Sequence, residues 1–517
     1  MKVVSSAAMA AIDQRTQTEY SIPGALLMED AGTKAWLLLR QDYDGGVPSG
    51  RVVVLAGKGN NGGDGFVMAR QAAVDGVRRL TVVLAGGRPP ESGDAGRMLA
   101  ACQRLPLEIL AWPDQADAVR SALGEAELVL DCIAGTGIRG PLKAPLSDLV
   151  SVVNSGSAAR IVAIDVPSGV GDEFRTGMPA VRAGKTLTMG LPKLCLYLPN
   201  ARTLCGEIQV VPVGFPPALV DDPEIPGEML QLSGWRRLAR PIPADTYKNR
   251  RGHLSVFAGS VGTTGAAWLA ASAAARCRLG LVTLFVDRDV YPVAGSRMAS
   301  VMCRPWDSAP EGPPGWDPAA FSAVLVGPGW GLTEAKAQWL RRLLTLPIGG
   351  VLDADGITLL SRFREERGVG LHGRWVLTPH PGEFSRLLSV PRDRVLDDPV
   401  GQALAAASRM EAVIVLKGHC TVVAAPDGKY WILDAPNPAL ATGGAGDVLA
   451  GIVAAGVAGG LTPVDAARFG VALHANVARL AWRRNGWFLS EDLVPMLSRL
   501  LGRADAGRRR GDAPGSR

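Results

Sequence analysis

The chain has 517 residues, 47% of them hydrophobic and 20% charged, a balance that excludes a largely disordered polypeptide and predicts two or three domains rather than one. Its 55 Lys and Arg against 49 Asp and Glu leave a net charge of +6, and the stretch from Arg503, with five Arg and two Asp, carries half of it, so charge alone makes no case for a nucleic-acid partner. Seven Cys without a C-x-x-C pair, no apolar run of 18 residues and an N-terminus without the signal-peptide pattern argue against a disulfide framework, a zinc site and a membrane partner, and predict a cytoplasmic protein.

Short β-branched runs alternate with Ala-rich helical stretches, the pattern of α/β domains built on parallel sheets. In the first half the predicted strands are Arg51–Ala56, Leu80–Leu84, Leu128–Asp131, Ile161–Ile164, Thr186–Met189 and Ile208–Val213, with a helix over 66–76 ended by Gly76. Strand signals then pause. Residues 217–245 are Pro-rich and read as a linker that overlaps the start of the next domain. The pattern restarts with a strand at Leu254–Ala258 and a helix over Thr264–Leu279. Further strands are predicted at Leu281–Val286, Ala323–Val326, Gly350–Leu352, Trp375–Leu377, Ala412–Leu416 and Thr421–Ala424, the last pairing with Lys429–Leu433 through an Asp427-Gly428 turn. The reading is therefore a first domain over 1–216, a second over 226–502 and a disordered basic tail over 503–517.

Three polar loops follow strands in the first half. Gly57–Gly65, GKGNNGGDG, joins a strand to a helix. Its glycines admit a ligand close to the backbone, and the N–H groups at the helix start favour phosphate. Asn60, Asn61, Gly62, Gly63 and Asp64 form one candidate binding segment. The second is Gly135, Thr136, Gly137, Ile138, Arg139, Gly140 and Pro141, in the loop that begins at Asp131; its G-x-G-x-x-G is a weak signal because it runs into Pro141 rather than a helix. The third is Asp165-Val-Pro-Ser168-Gly169. In an open parallel sheet ligands bind at the carboxyl ends of strands, so all three loops belong on one edge. Together they offer Asn61, Asp131 and Ser168 as oxygen ligands for a cation. Asp165 is left either as an acid/base group or as a structural Asp that caps a turn.

The second half carries its own series of strand-end loops: GSVGTTGA to Ala266, Gly327-Pro-Gly329-Trp-Gly331, Thr378-Pro-His380-Pro-Gly-Glu383, and Lys417-Gly418-His419-Cys420-Thr421. Thr442-Gly-Gly-Ala-Gly446-Asp447 then opens a helix over Val448–Ala455. Its successive N–H groups suit a transferring phosphoryl group, and Asp447 is placed either to take a proton from a substrate hydroxyl or to cap the helix. His380, held between two prolines, is as compatible with structure as with binding. His253 and His419 read by chemistry as ordinary structural histidines.

GNNGGDG, DCIAGTGIRGP, DVPSG and the N-terminal stretch MAAIDQRTQTEYSIPGALLMEDAG resemble the epimerase domain of the NAD(P)H-hydrate repair enzymes, the YjeF family. SVGTTGAAWLAASAAARCRLGLVTL, GPGWG, VLDADG, TPHPGEFSRLL, VLKGHCTVV and NPALATGGAGDVLAG resemble the ADP/ATP-dependent dehydratase domain of the same family, in motif order over 246–460. The resemblance implies a Rossmann-like first domain and a ribokinase-like second one. The first would interconvert the R and S forms of hydrated NADH and NADPH, called NADHX and NADPHX. The second would dehydrate the S form with ADP or ATP as phosphoryl donor and Mg2+. It also implies one K+ per first domain on Asn61, Asp131 and Ser168, and Asp165 and Asp447 as the catalytic residues. The hydrated dinucleotide would lie on Asn60–Asp64, Gly135–Pro141 and Asp165 in one domain and on Ala266, Gly329, His380 and Asp447 in the other. The adenine nucleotide would lie on Lys417–Thr421 and Gly446, and a homo-oligomer is expected. This chain departs from the family pattern at Asp30, where Asn is usual, at Asp355-Gly356-Ile357-Thr358, and in TYKNRRGH before the second domain. The competing reading is a ribokinase-like small-molecule kinase with an N-terminal ligand-binding regulatory domain; a stable phosphorylated product rather than restored NADH would distinguish it.

Overall fold

Arg51-Val-Val-Val-Leu-Ala56 has no polar–apolar alternation, as a parallel strand covered on both faces requires, and every residue after Arg51 is buried. The computed structural model describes residues 1–87, 89–90, 92–156, 159–363 and 370–511, which form two units, Met1–Gly227 and Glu228–Arg517.

In the first unit β1 (Arg51–Ala56), β2 (Leu80–Ala85), β3 (Glu108–Trp112), β4 (Ala126–Cys132), β5 (Arg160–Ile164), β6 (Lys185–Met189) and β7 (Glu207–Val211) form one parallel sheet in the order β3-β2-β1-β4-β5-β6-β7. Successive side chains of β1 alternate between two cores. Val52 and Val54 join Phe66, Leu130 and Leu187 on one face; Val53 and Leu55 join Val83, Leu149 and Val153 on the other. The strand order reverses between β1 and β4, so the loops leaving their carboxyl ends diverge and open a crevice.

The helix after β1 begins at Asn60, not at Phe66, so NNGGDG is its first turn and a half. Helix propensity argues against this; packing overrides it. A Cβ on Gly62 would run into the Gly57 carbonyl, one on Gly63 into Met28, and one on Gly65 would stand 2.8 Å from Cys132 Cβ. These glycines let the helix lie against β1 and β4. The stretch read as a linker is also ordered. Leu219 packs with Val4, Met9, Ile12 and Leu191, and Val3 N–H donates to the Gly227 carbonyl at 3.1 Å, so residues 217–225 belong to the first unit.

The second sheet takes in β8 (Gly227–Met229), β9 (His253–Phe257), β10 (Leu281–Asp287), β11 (Met302–Trp306), β12 (Ala323–Val326), β13 (Gly350–Leu352), β14 (Trp375–Leu377), β15 (Val413–Leu416), β16 (Cys420–Ala424) and β17 (Tyr430–Asp434). Their order is β11-β10-β9-β12-β13-β14-β15-β16-β17-β8. Pairing is parallel from β11 to β15 and antiparallel from β15 to β17, with Gly428 at a φ of +87° in the β16–β17 turn. The Ala445–Ala458 helix is almost wholly buried. It crosses the Thr264–Arg276 helix so closely that a Cβ on Gly451 would strike the Ala270 carbonyl. The Ser490–Gly511 helix runs through the first part of the segment read as a disordered tail, and residues 512–517 lie outside the described residues. No helix among the described residues is long and apolar enough to cross a membrane.

Candidate active sites

At the carboxyl edge of the first sheet a cavity of about 850 Å³ is lined by Asn60, Asn61, Asp64, Gly135, Thr136, Gly137, Ile138 and Asp165, and on the other side by Met9, Asp13 and Gln17 of the Ser6–Glu19 helix. Gly62 and Gly63 do not line it; they pack inward, for the reason given above. Arg139, Gly140 and Pro141 lie further along the same loop, outside the lining.

Asp165 has a φ of +67°, a conformation that a non-glycine residue holds only when its surroundings fix it. Its N–H donates to the Leu187 carbonyl at 2.8 Å, and its Oδ1 accepts from Lys193 Nζ at 2.5 Å and from Met189 N–H at 3.3 Å. Lys193 is 1% exposed. Its other protons go to the Met189 carbonyl at 2.6 Å and Thr188 Oγ1 at 3.2 Å, which makes it a fixed positive charge behind Asp165. Asp165 Oδ2 faces Gly135, where a Cβ would stand 3.2 Å from it; only glycine leaves room for a ligand there. Burial, and after it the Asp165 charge, push the Asp64 carboxyl well above the usual range. Asp165 and Asp64 thus line one cavity, with Asp64 pushed toward its protonated form. Lys193 was absent from the residues singled out in the sequence, although a lone Lys in Leu191-Pro-Lys-Leu-Cys-Leu-Tyr-Leu198 is a visible signal.

Asp131 and Ser168 are fully buried and joined: Ser168 Oγ donates to Asp131 Oδ1 at 2.6 Å, and Ser168 N–H donates to Oδ2 at 2.8 Å. Ser168 Oγ in turn accepts from Ala134 N–H at 2.9 Å. Burial raises the Asp131 carboxyl to about 6, against the Ser168 hydrogen bonds. Asn61 stands across the Ala134–Gly135 loop, its amide N and O both buried and unpartnered among the described residues. One buried carboxylate, one hydroxyl with a spare lone pair and one orphaned amide oxygen fit a large monovalent cation.

In the second unit the strand order switches between β9 and β12. Their loops are tied together by Thr263 Oγ1 donating to the Gly329 carbonyl at 2.7 Å, which sets Gly329 against Thr263, the cap of the Thr264–Arg276 helix that carries Ala266 in its first turn. A second cavity, about 550 Å³, is lined by His380, Lys417, Gly418, His419, Thr421, Ala445, Gly446 and His474, with an apolar wall that includes Leu433, Pro436, Leu440 and Leu449. Cys420 does not line it. It is the first residue of β16, and its thiol turns to Asp434 at 3.5 Å.

Asp447 is the third residue of the Ala445–Ala458 helix, whose cap is Gly444 with no side-chain bond, so Asp447 is not the helix cap. Burial first, then the charges of Asp353, Glu383 and Asp355, raise it to about 7, with Lys417 opposing. Lys417 Nζ bonds Asp353 at 2.9 Å and lies 3.9 Å from Glu383; these carboxylates outweigh burial and raise the lysine. Asp353, 1% exposed, also accepts from Thr378 Oγ1 at 2.7 Å, and Asp355 accepts from Gly331 N–H at 2.7 Å at the switch loop. Asp447 therefore shares one electrostatic cluster with groups on the cavity side (Lys417) and the switch side (Asp355). His380 caps the Pro381–Leu388 helix: Nδ1 accepts from Gly382 and Glu383 N–H at 3.0 and 3.3 Å, and Glu383 returns a bond to His380 N–H at 2.8 Å. It is a structural cap that also lines the cavity. Asp353, Glu383 and His474 were not among the residues singled out in the sequence.

Two α/β units, each with a carboxylate and a lysine (Lys193 buried, Lys417 half-buried) at the carboxyl edge of its sheet, make this a two-module enzyme of nucleotide-sized ligands. The comparisons narrow the class. Residues 254–499 match the family model described as NAD(P)H-hydrate dehydratase, and residues 24–195 match that of the YjeF-related protein N-terminus. The bifunctional NAD(P)H-hydrate repair enzyme of Moorella thermoacetica is 34% identical over 97% of both chains. That of Salinibacter ruber is 35% identical over 98% of this chain and 97% of its own, and that of Escherichia coli 32% over 92% and 89%. The chain belongs to the family of bifunctional NAD(P)H-hydrate repair enzymes, epimerase and dehydratase in one polypeptide. Among solved structures, the ADP/ATP-dependent NAD(P)H-hydrate dehydratase of Bacillus subtilis, co-crystallised with ATP and Mg2+, is 29% identical over 53% of this chain and 98% of its own, with a TM-score of 0.47.

Proposed function

We propose that the first unit interconverts the R and S forms of hydrated NADH and NADPH, and that the second dehydrates the S form at the expense of ADP or ATP. In the first unit Asp165 acts as acid/base group beside the nicotinamide C6, with Lys193 holding its orientation and charge and Asp64 as the neighbouring donor. Asn60, Asn61 and Asp64 of the Asn60–Val74 helix, with Gly135–Ile138, bind the dinucleotide. Asn61, Asp131 and Ser168 hold K+, which when bound supplies the counter-charge that the buried Asp131 otherwise lacks. The chemistry of those oxygens and the orphaned Asn61 amide support that assignment. A K+-selective rise in melting temperature, lost in Asn61→Ala, is its test independent of activity.

In the second unit the S form lies at the β9–β12 switch, on Ala266 and Gly329, and the nucleotide in the cavity on Lys417, Gly418, His419, Thr421 and Gly446. Asp447 takes the proton from the C6 hydroxyl as that oxygen attacks the terminal phosphorus. The bond to the nucleotide breaks, leaving AMP from ADP or ADP from ATP. Phosphate then leaves C6 with its bonding electrons while C5 loses a proton, which restores the ring double bond. Mg2+ would travel with the nucleotide phosphates. The observation that carries this reading is the position of Asp447, one residue after Gly446 of the cavity lining and in the first turn of the buried Ala445–Ala458 helix; burial pushes its carboxyl up toward the range a general base needs. The test is an R/S mixture of hydrated NADH with protein, Mg2+, K+ and ADP or ATP. Reduced-nicotinamide absorbance returns from both forms; a stable phosphorylated product without that return defeats the reading.

A further inference from the structure

Part of the first cavity's wall belongs to no helix or strand. Val213 and Phe215, in the stretch that follows the edge strand β7, line the cavity. Sheet pairing ends where Met189 meets Val211, and Pro212 and Pro216 have no N–H to donate. Within the stretch, Phe215 N–H donates to the Val213 carbonyl at 2.7 Å. Among the described residues, the one hydrogen bond that ties residues 212–216 to a distant part of the chain runs from Gly214 N–H to Asp30 Oδ2 at 2.9 Å.

Asp30 lies on the Gly24–Arg40 helix, whose Gly24, Leu27, Met28 and Ala31 also line the cavity. Its carboxylate thus joins two parts of one wall across 184 residues. Lys34, one turn on, bonds the same oxygen at 2.8 Å and answers the charge that Asp brings to a position where Asn is usual. Phe215 rests its ring on Gly190, where a Cβ would stand 2.5 Å from it, and packs with the cluster of Val4, Met9 and Ile12. Asp165 is held by separate bonds, with Lys193, Met189 and Leu187, none of which runs through Gly214. Loss of the Asp30 bond therefore loosens the wall and leaves the acid/base group in place.

Resting on the reading that this cavity takes the hydrated dinucleotide, we propose that Asp30 is a positioning residue: its carboxylate clasps Gly214 and seats Val213 and Phe215 as a wall for the substrate. A wall in place for only part of the time weakens apparent binding in proportion and leaves the chemical step alone. What the clasp needs is a hydrogen-bond acceptor rather than a charge, so Asn serves at this position and Ala does not.

The experiment follows R-to-S conversion of hydrated NADH by the full chain with K+ and no adenine nucleotide, which leaves the second unit idle; chiral chromatography reads the S form. Asp30→Ala should raise KM about 10-fold, the scale of one hydrogen bond to a charged group, and leave kcat within about twofold. Asp30→Asn, which keeps an acceptor, and Lys34→Met, which removes only the ion pair, should keep KM within about threefold of wild type. Amide exchange gives a readout that does not depend on activity. The Gly214 N–H, although its residue is exposed, should exchange slowly in wild type and in Asp30→Asn and about 10-fold faster in Asp30→Ala; should Asp30→Ala not fold, the wild-type exchange rate decides. Wild-type KM in Asp30→Ala, an equal loss in Asp30→Asn and Asp30→Ala, a fall in kcat at constant KM, or unprotected exchange of Gly214 in wild type overturns the proposal. A wild type that converts the R form only at its spontaneous rate overturns the epimerase reading instead.

Discussion

Asp447→Asn is expected to make the enzyme slower and more stable at once. The Asp447 carboxyl stands at about 7 against an ordinary 3.8. The folded second unit therefore holds a proton there between about pH 4 and 7 that the unfolded chain releases. Stability falls as pH rises through that window. At about 1.4 kcal/mol per unit, the shift sets a ceiling of about 4 kcal/mol at pH 8; relaxation of Lys417 and entry of water reduce the expected gain on removing the charge to about 1–3 kcal/mol. No cap is lost, because Gly444 caps the helix. The assay is urea denaturation followed by Trp fluorescence, to which the second unit contributes every Trp except Trp36 and Trp112. The variant should exceed the wild type at pH 8, and the two should converge near pH 4. Turnover in dehydration should fall about 10²–10⁴-fold, and the wild-type rate should climb with pH up to about 7 as the base loses its proton. A variant that is less stable than wild type at pH 8, or that dehydrates at the wild-type rate, refutes the placement of a strained general base at this position.

In Asp165→Ala and in Lys193→Met the S form should still be consumed rapidly with nucleotide present, while the R form disappears only at its spontaneous epimerisation rate; chiral chromatography of the residual substrate reads this, and wild-type loss of both forms would make Asp165 structural. Gly62→Ala should destabilise the first unit by about 3 kcal/mol or more, because its Cβ meets backbone, whereas Gly59→Ala, with open space around it, should cost under about 1 kcal/mol; limited proteolysis of the first unit compares them, and equal resistance would mean that the glycines do not serve packing. Gly446→Val should weaken ADP binding about 10-fold or more by crowding the helix start, where even a Cβ would stand 3.3 Å from Lys417 Nζ; calorimetry with unchanged affinity counts against the nucleotide assignment.

The strands missed in the sequence have a common cause. Glu108–Trp112, Gly227–Met229 and Met302–Trp306 are edge strands. An edge strand is wet on one side, so it keeps Glu108, Glu228, Arg304 and even Pro305, the residues that weaken a strand signal. Central strands covered on both faces are continuous apolar runs and were legible almost to the residue. The GNNGGDG turn misled for a different reason. Glycine reads as loop, but whether it serves a ligand or a neighbouring backbone depends on what lies opposite, and Gly57, Cys132 and Met28 come from other elements. Asp30 shows the same dependence: its charge, unusual at this position, is met by Lys34 at 2.8 Å and by Gly214 N–H at 2.9 Å.

The loops that line the two cavities were legible where they are written in backbone and obscure where they depend on pairing. A loop of successive N–H groups is local in the chain, so Gly135–Ile138 and Gly446 announce themselves. A carboxylate becomes a usable acid or base only through partners brought from elsewhere: Lys193 reaches Asp165 across 28 residues, and Lys417 reaches Asp353 across 64. In the sequence Asp165 is indistinguishable from a turn-capping Asp, and His380, which in the structure caps its helix, from a ligand. In the structure His380 Nδ1 caps its own helix while the residue also lines the second cavity, and Asp165 Oδ1 is held by Lys193 and Met189 while the residue lines the first. A polar atom that folding buries without a bond costs about 1–3 kcal/mol. The buried Asn61 amide, which lines the first cavity, is one such group, and a cation or ligand held there would recover that cost, which the sequence alone could not show because the loops that close around Asn61 come from other strands.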